Sequence, residues 1–256
     1  MNIVGIIPAR MSATRFPNKP MAKISGLPMI AHVYYRSKMS SGLDDVWVAT
    51  CDQEIVDYVT SIGGKAIMTA DTHQRASDRS AEAMEKIEKL TGKKIDYVAM
   101  IQGDEPMLMP EMLDELVRPA REGQNPEVVN LISTIDSEED FLDPNTVKLV
   151  FDKKMNALYL SREAIPSGKK YKGTLPMWKQ LGIILFSRAS MLLFQNLEPT
   201  PLEVIESVDM NRFLEHGVKI KLVPTPVKTQ GVDTPSDLAR VEERMKSDTL
   251  VKKYLR

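Results

Sequence analysis

The sequence predicts an α/β fold, with a doubly wound, mostly parallel sheet, helices on both faces and a small antiparallel insertion. Short, nearly continuous apolar runs alternate with amphipathic segments in the first half, as in parallel strands that are covered by helices on both faces. Strand-like runs of the second half follow one another closely, as in a hairpin. Polar segments follow the apolar runs, and ligands bind beyond the carboxyl ends of parallel strands. We expect one domain over residues 1–256.

The first half supplies the parallel strands and their connecting helices. The apolar runs predict strands at 3–7, 46–50, 65–69, 97–101 and 128–133. Apolar residues at helical spacing predict helices over 28–39, 52–64, 77–90 and 110–120. Asp52 is placed to cap its helix, and Gly63 and Gly64 mark the end of that helix. Repeated strand–helix units of this kind predict right-handed crossovers within one sheet.

The second half changes character and predicts the antiparallel insertion at about 145–190. Two strand-like runs, 145–152 and 156–166, are separated by a short turn and predict a hairpin. The later segments predict helices over 189–197, 201–217 and 234–245 and strands over 181–188 and 219–226. Residues 166–174 are rich in glycine and lysine and predict a loop.

The composition excludes several classes of function. The formal net charge is −1 and no basic stripe with interleaved aromatic residues occurs, so we expect no nucleic-acid partner. The apolar runs are too short to span a bilayer and the first residues do not resemble a signal peptide, so we expect a cytoplasmic protein with no membrane partner. One cysteine, Cys51, fits a reducing compartment, and one cysteine with three histidines argues against a zinc site.

The segment PARMSATRFPNKP (8–20) places three cations directly after the first predicted strand. Arg10, Arg15 and Lys19 can share the charge of a polyphosphate with main-chain N–H groups of an irregular loop. The spacing matches neither the Walker nor the dinucleotide glycine pattern. A solvent-exposed basic loop is the competing interpretation, and the segment by itself does not distinguish the two.

Two carboxylates occupy tight turns in distant segments, Asp104 in QGDEP and Asp233 in GVDTP. A carboxylate on such a support suits a hard cation such as Mg²⁺. Taken singly, each aspartate can equally be a cap or turn residue. Together with the cationic loop, they match the components of metal-assisted nucleotidyl transfer.

The sequence also resembles a known family. The stretches IIPAR, TRFPNKPMAKISGLPMIAHVY, QGDEP, DPNTVKLV, ALYLSR, LGI and GVDTPSDL, between residue 3 and about residue 245, are similar to those of the 3-deoxy-manno-octulosonate (KDO) cytidylyltransferases. The resemblance implies Mg²⁺-dependent transfer of CMP from CTP to the anomeric hydroxyl of an acidic 2-keto sugar, with release of pyrophosphate. It also implies a role in lipopolysaccharide biosynthesis and a homodimer formed through the antiparallel insertion.

The resemblance further implies the roles of individual residues. The catalytic residues would be Arg10, Lys19, Asp104 and Asp233, with the two aspartates as metal ligands. The nucleotide would be bound by Pro8, Ala9, Arg10, Ser12, Arg15, Lys19, Arg75, Ala76, Ser77 and Gln102. The acidic sugar would be bound by Arg79, Arg162, Gln180, Ile184 and Glu206, with Arg162 pairing with its carboxylate.

The sequence departs from the family pattern at several places, and two of them bear on ligand binding. Arg75 and Ala76 stand where the family has serine and glycine, close to the nucleotide. Gln180 and Ile184 stand where the family has histidine and tyrosine, in the sugar pocket. Loss of two polar partners predicts either a changed acidic acceptor or neutral drift with the same sugar. Two further hypotheses are an inert nucleotide-binding regulator and a nucleotidyltransferase for another base or sugar phosphate.

Overall fold

The structure is a computed structural model that describes residues 1–12 and 16–255. The chain divides into two compact units, one formed by Met1–Asp114 with Lys228–Arg256 and the other by Glu115–Val227. The division falls inside a helix, Pro110–Arg121. The prediction of a single domain over residues 1–256 stays a prediction.

The first unit alternates strands and helices along the chain. Its strands are β1 (Ile3–Ala9), β2 (Lys23–Ile24), β3 (Leu27–Pro28), β4 (Asp45–Thr50), β5 (Ala66–Met68) and β6 (Tyr97–Ile101). Its helices are α1 (Met29–Lys38), α2 (Gln53–Ser61), α3 (Ala76–Thr91), the start of α4 (Pro110–Arg121) and α9 (Pro235–Met245), with short 3-10 turns at Lys19–Met21 and Val251–Lys253.

The sheet of the first unit is parallel, in the order β6-β1-β4-β5. β1 and β6 are buried along their whole length, which is why both read as uninterrupted apolar runs. Gly103 follows β6, and a Cβ atom added there would lie 3.0 Å from the Pro8 carbonyl oxygen. Glycine therefore lets the turn after β6 approach the end of β1 closely.

The second unit contains the antiparallel pairs. Its strands are β7 (Val128–Thr134), β8 (Lys148–Phe151), β9 (Ala157–Ser161), β10 (Trp178–Ser187) and β11 (Ile220–Pro224), and its helices are α5 (Glu138–Leu142), α6 (Arg188–Asn196), α7 (Pro201–Glu206) and α8 (Met210–Glu215). β8 pairs antiparallel with β9 and β10, β10 pairs antiparallel with β7, and β7 pairs parallel with β11. The predicted α/β class, with a mostly parallel sheet and a small antiparallel part, is confirmed.

Two predicted helices differ in detail from the structure. The segment 201–217 forms two short helices, α7 and α8, because Ser207 takes a left-handed backbone conformation with φ of 51° and ends α7. Asp52 occupies the N-cap position of α2, but its carboxylate accepts from the Met11 N–H at 2.8 Å and not from its own helix. The cap residue is thus used to hold the loop after β1.

No helix within residues 1–12 and 16–255 combines the length and the apolar character that crossing a membrane requires.

Candidate active site

A cavity of about 340 Å³ opens beyond the carboxyl ends of β1 and β6 in the first unit. This is where an open parallel sheet binds ligands, and the volume lies in the range of small-molecule sites. Its lining residues are Pro8, Ala9, Arg10, Phe16, Lys19, Pro20, Met29, His73, Gln74, Arg75, Ala76, Arg79, Gln102, Gly103, Asp104 and Asp233.

Lys19 joins the two predicted carboxylates at one wall of this cavity. Its ammonium group donates to Asp104 Oδ2 at 2.8 Å and to Asp233 Oδ1 at 3.4 Å, and also to the main-chain oxygen of Val232 at 2.8 Å. The Lys19 side chain is 15% exposed, Asp104 is 30% exposed and Asp233 is 46% exposed. All three charges therefore remain accessible to a ligand from the cavity.

Main-chain contacts place these residues. The Val232 N–H donates to the Asp104 carbonyl oxygen at 2.9 Å, which aligns the segment before α9 with the turn after β6. Val232 itself is fully buried in an apolar cluster with Ile24 and Met29. Asp233 is thereby fixed beside Asp104 although the two are far apart in sequence.

The start of α9 positions Asp233 further. Thr234 caps α9 in a reciprocal capping box with Asp237, and Pro235 occupies the first turn. One Asp237 carboxylate oxygen accepts from the main-chain N–H groups of Asp233 and Thr234 at 3.1 and 2.8 Å. Burial would raise the pKa of Asp237, but the hydrogen bonds from Thr234 and from these N–H groups hold it below its usual range. The motif GVDTPSD therefore supplies both the Asp233 carboxylate and the capping residues that fix its position.

The loop between β5 and α3 forms the opposite wall. Arg10 donates from Nη1 to the His73 carbonyl oxygen at 3.4 Å, and four consecutive residues from His73 to Ala76 line the cavity. Arg75 occupies the N-cap position of α3, and Ala76 is its first residue. The main-chain N–H groups and the positive dipole at the start of a helix favour an anionic ligand at this wall.

Arg79 is a buried cation on the first turns of α3. Its side chain donates to Thr69 Oγ1 at 2.5 Å and to the Ala70 carbonyl oxygen at 3.3 Å. Its Nη2 atom is buried and has no hydrogen-bond partner among the described residues. Since a buried guanidinium nitrogen is costly to leave unpaired, this donor is suited to an anionic ligand in the cavity.

The remaining predicted sugar-binding residues lie in the second unit, where Arg162 and Glu206 form one network. The Arg162 guanidinium donates to the carbonyl oxygens of Pro144, Glu206 and Ser207 at 2.7–3.2 Å. The Glu206 carboxylate accepts from Tyr159, Ser161 and the Arg162 N–H. Its bond to the Tyr159 hydroxyl raises the pKa of Tyr159 to about 12. The network ties β9 to the end of α7.

Gln180 and Ile184 flank an irregular register in β10. Gln180 donates from its side-chain amide to Asn130 Oδ1 at 2.6 Å, and Asn130 donates to the carbonyl oxygens of Leu181 and Ile183. Ile184 is buried. Gln180 therefore bonds to a polar residue of β7, and Ile184 contributes apolar packing.

The predicted site residues thus have different environments. Arg10, Lys19, Asp104 and Asp233 line one cavity, as do Pro8, Ala9, Arg75, Ala76, Arg79 and Gln102. Ser12 is exposed and Ser77 is buried in α3, and neither is among the lining residues. Arg15 lies outside the described residues.

Sequence reasoning did not assign a role to several lining residues, including Phe16, Met29 and His73. His73 lies two residues before Arg75, and this closeness to a predicted nucleotide-binding residue was an available signal. For Phe16 and Met29 there was no signal, because no local pattern distinguishes an apolar residue of the core from one that lines a cavity.

The chain is similar in sequence to known cytidylyltransferases. The model of the cytidylyltransferase family matches residues 4–220. A 3-deoxy-manno-octulosonate cytidylyltransferase of Geobacter metallireducens is 38% identical over 255 residues, which cover 96% of this chain and 98% of the relative. That of Thermodesulfovibrio yellowstonii is 41% identical over 250 residues, covering 95% and 98%. The chain belongs to the 3-deoxy-manno-octulosonate cytidylyltransferase family.

A solved structure of a family member agrees with this assignment. A CMP:2-keto-3-deoxy-manno-octonic acid synthetase complexed with CTP superimposes with a TM-score of 0.89 at 34% identity, covering 96% of this chain and 99% of that one. A cytidylyltransferase from Leptospira borgpetersenii matches with a TM-score of 0.63 at 16% identity, which supports the fold alone. The cytidylyltransferase family that the sequence motifs indicated is therefore confirmed.

Proposed function

We propose that this protein transfers CMP from CTP to the anomeric hydroxyl of 3-deoxy-manno-octulosonate and releases pyrophosphate. The observation that carries the proposal is the convergence of Lys19, Asp104 and Asp233 on one cavity at the carboxyl ends of β1 and β6. The family match supports cytidine as the base and an acidic sugar as the acceptor.

The residues of the cavity account for the chemistry. A sugar hydroxyl that attacks the α-phosphate must overcome repulsion between oxygens, and negative charge develops on the leaving pyrophosphate. Arg10 and Lys19 provide positive charge for the triphosphate, with Arg10 able to bind two phosphate oxygens at once. The reaction needs no enzyme nucleophile, because the acceptor hydroxyl attacks directly. Catalysis then depends on orientation and charge stabilisation.

The carboxylates of Asp104 and Asp233 fit a bound Mg²⁺. Both are oxygen ligands, both are accessible from the cavity, and a single ammonium group reaches both. Mg²⁺ is typically held by one or two carboxylates, with phosphate oxygens and water completing its coordination. When bound there, the ion would neutralise phosphate charge and lower the pKa of the attacking hydroxyl. Lys19 would then be released to the phosphates.

Substitution of Asp104 by asparagine tests the proposal. We expect Asp104→Asn to lower Mg²⁺-dependent pyrophosphate release from CTP and 3-deoxy-manno-octulosonate by about 100-fold or more, since a charge-stabilising group of the transition state is lost. Asp57→Asn, at an exposed position of α2, is the matched control and should leave turnover unchanged. If the unchanged protein binds CTP but gives no turnover, an inert nucleotide-binding role is favoured. Full activity in Asp104→Asn would contradict the role proposed for the Asp104 carboxylate.

A different acidic acceptor is the second candidate, and the environment of Gln180 and Ile184 favours it. The family has histidine and tyrosine at these positions. Ile184 is apolar and offers a sugar hydroxyl no hydrogen bond, and the Gln180 side-chain amide already donates to Asn130. Pyrophosphate release with CTP and a panel of 2-keto-3-deoxy sugar acids separates the candidates. The highest kcat/KM with unmodified 3-deoxy-manno-octulosonate would eliminate the second.

The assembly and setting of the enzyme complete the proposal. We infer a cytoplasmic homodimer that acts in lipopolysaccharide biosynthesis, as the family resemblance implies. Large exposed apolar side chains of the second unit support an interface with a second copy, and they are Leu142, Leu158, Tyr171, Leu193, Val204 and Ile205. Leu158 and Tyr171 lie within the antiparallel insertion.

A further inference from the structure

Glu82, on the second turn of α3, reaches back to the loop that precedes its own helix. Its Oε2 atom accepts from the Ala70 N–H at 2.8 Å and contacts His73 Nε2 at 2.5 Å. Its Oε1 atom lies 2.7 Å from the Lys86 ammonium group. The Glu82 carboxylate thereby connects the start of the loop at Ala70, the His73 ring within the loop and Lys86 on the next turn of α3.

The contact with His73 determines which ring nitrogen carries a proton. Burial would raise the pKa of Glu82, but the bonds from Lys86, Ala70 and His73 lower it to about 2, so the carboxylate is ionised near neutral pH. An ionised carboxylate only accepts hydrogen bonds, so the proton lies on His73 Nε2. His73 Nδ1 is the ring nitrogen left for a ligand, and His73 lines the cavity.

The same loop connects to the predicted triphosphate wall. The His73 carbonyl oxygen accepts from Arg10 Nη1 at 3.4 Å, and Gln74, Arg75 and Ala76 follow directly as lining residues. A shift of the loop would therefore displace His73 and release Arg10 together. A surface ion pair with Lys86 alone would have no such consequence, and such pairs contribute little.

We propose that Glu82 is a positioning residue for CTP, which holds the 70–75 loop and the His73 ring so that His73 and Arg10 face the nucleotide. This inference rests on the proposed function, because it takes CTP as the occupant of the cavity. Glu82 is not among the residues that line the cavity, and its effect passes through Ala70 and His73. Its loss should weaken CTP binding and leave the chemical step of bound substrate nearly intact.

The test compares wild type, Glu82→Gln, His73→Ala and the double variant by calorimetric titration with CTP and by steady-state kinetics. Glu82→Gln keeps the size of the side chain and removes its charge. We expect the Kd and KM for CTP to rise about tenfold, as for loss of a hydrogen bond to a charged group, with kcat within about twofold. We expect the double variant to bind CTP about as well as the weaker single variant, because coupled residues are not additive.

Glu85→Gln is the matched control, since Glu85 lies on the same helix and has no role in the proposed arrangement. Its CTP affinity should equal that of the wild type. Unchanged CTP affinity in a folded Glu82→Gln protein, multiplicative effects in the double variant, or a fall in kcat at unchanged KM would each overturn the inference. Failure of the wild type itself to bind CTP would overturn the proposed function and this inference with it.

Discussion

Lys19 donates to acceptors from two distant parts of the chain, Asp104 on one side and Val232 with Asp233 on the other. Two carboxylates this close would repel each other without a cation between them. Lys19 therefore bridges the two segments that supply these carboxylates. The Lys19 ammonium group thus has two roles: it stabilises the arrangement of the site, and it is proposed to bind the triphosphate.

A prediction about stability concerns Arg212 and its buried ion pair. Its guanidinium donates to both carboxylate oxygens of fully buried Glu203 at 2.6 and 2.7 Å and lies over the Phe194 ring. We expect Arg212→Met to lower the free energy of unfolding by about 3–5 kcal/mol, because it removes the cation that faces a buried carboxylate. Urea denaturation measures this loss.

Replacement of both residues distinguishes the contribution of the ion pair from that of the surrounding packing. A protein with Arg212→Met and Glu203→Met should recover much of the lost stability, since no buried carboxylate then lacks its cation. Arg240→Met, at an exposed position of α9, is the control and should cost under about 1 kcal/mol. If Arg212→Met also costs under about 1 kcal/mol, the ion pair with Glu203 does not stabilise the fold.

At the scale of elements, a buried polar network joins α1 to the C-terminal segment. Arg36 donates from Nε to the Tyr254 hydroxyl at 2.9 Å and from Nη2 to Asp248 at 2.5 Å. The Tyr254 hydroxyl lies 2.9 Å from His32 Nδ1, and His32 Nε2 lies 2.7 Å from the Ile24 carbonyl oxygen. Since a carbonyl only accepts, His32 carries its proton on Nε2 and accepts from Tyr254 through Nδ1.

This network predicts a loss of stability in mild acid. Burial, and then the nearby charge of Arg36, lower the pKa of His32 from 6.5. The unfolded chain therefore binds a proton at a higher pH than the folded chain does. Stability is fully present above pH 6.5 and should fall below it, by up to about 1.4 kcal/mol per pH unit for this one group.

Chemical denaturation at a series of pH values between 7 and 5 measures this slope. His32→Gln should flatten it, because Gln does not titrate, whereas His216→Gln at an exposed position should leave the slope unchanged. Equal slopes in the wild type and in His32→Gln would show that other groups cause the acid sensitivity.

At the scale of the whole molecule, the prediction concerns assembly. Leu158 on β9 is 61% exposed within the antiparallel insertion, and Leu90 on α3 of the first unit is 65% exposed. If the insertion forms the homodimer, Leu158→Asp should raise the dimer dissociation constant about tenfold or more, since a charge then enters an apolar contact. Leu90→Asp should have no such effect. Sedimentation over a range of concentrations checks this, and a monomeric wild type would contradict the proposed homodimer.

Features of the fold and of the site could be predicted where neighbouring residues in the sequence encode them. The apolar runs of β1 and β6 predicted buried strands because both faces are covered, and the polar turns after them predicted where Arg10 and Asp104 lie. The break at Ser207 was missed because helical spacing continues through it in the sequence. The hydrogen bonds of Arg162 to main-chain oxygens were missed because nothing in ALYLSR indicates which oxygens lie nearby.

The sequence by itself determined the α/β class, the family, and Lys19, Asp104 and Asp233 as the residues of interest, because periodicity and turn chemistry are encoded within a few neighbouring residues. Only the tertiary structure decided which partners these side chains meet. The contacts of Lys19 with Asp233 and of Tyr254 with His32 join residues more than 200 positions apart, and the Glu82 carboxylate acquires its role when α3 packs beside its preceding loop. Such pairings depend on how the chain folds back on itself, so no local pattern specifies them.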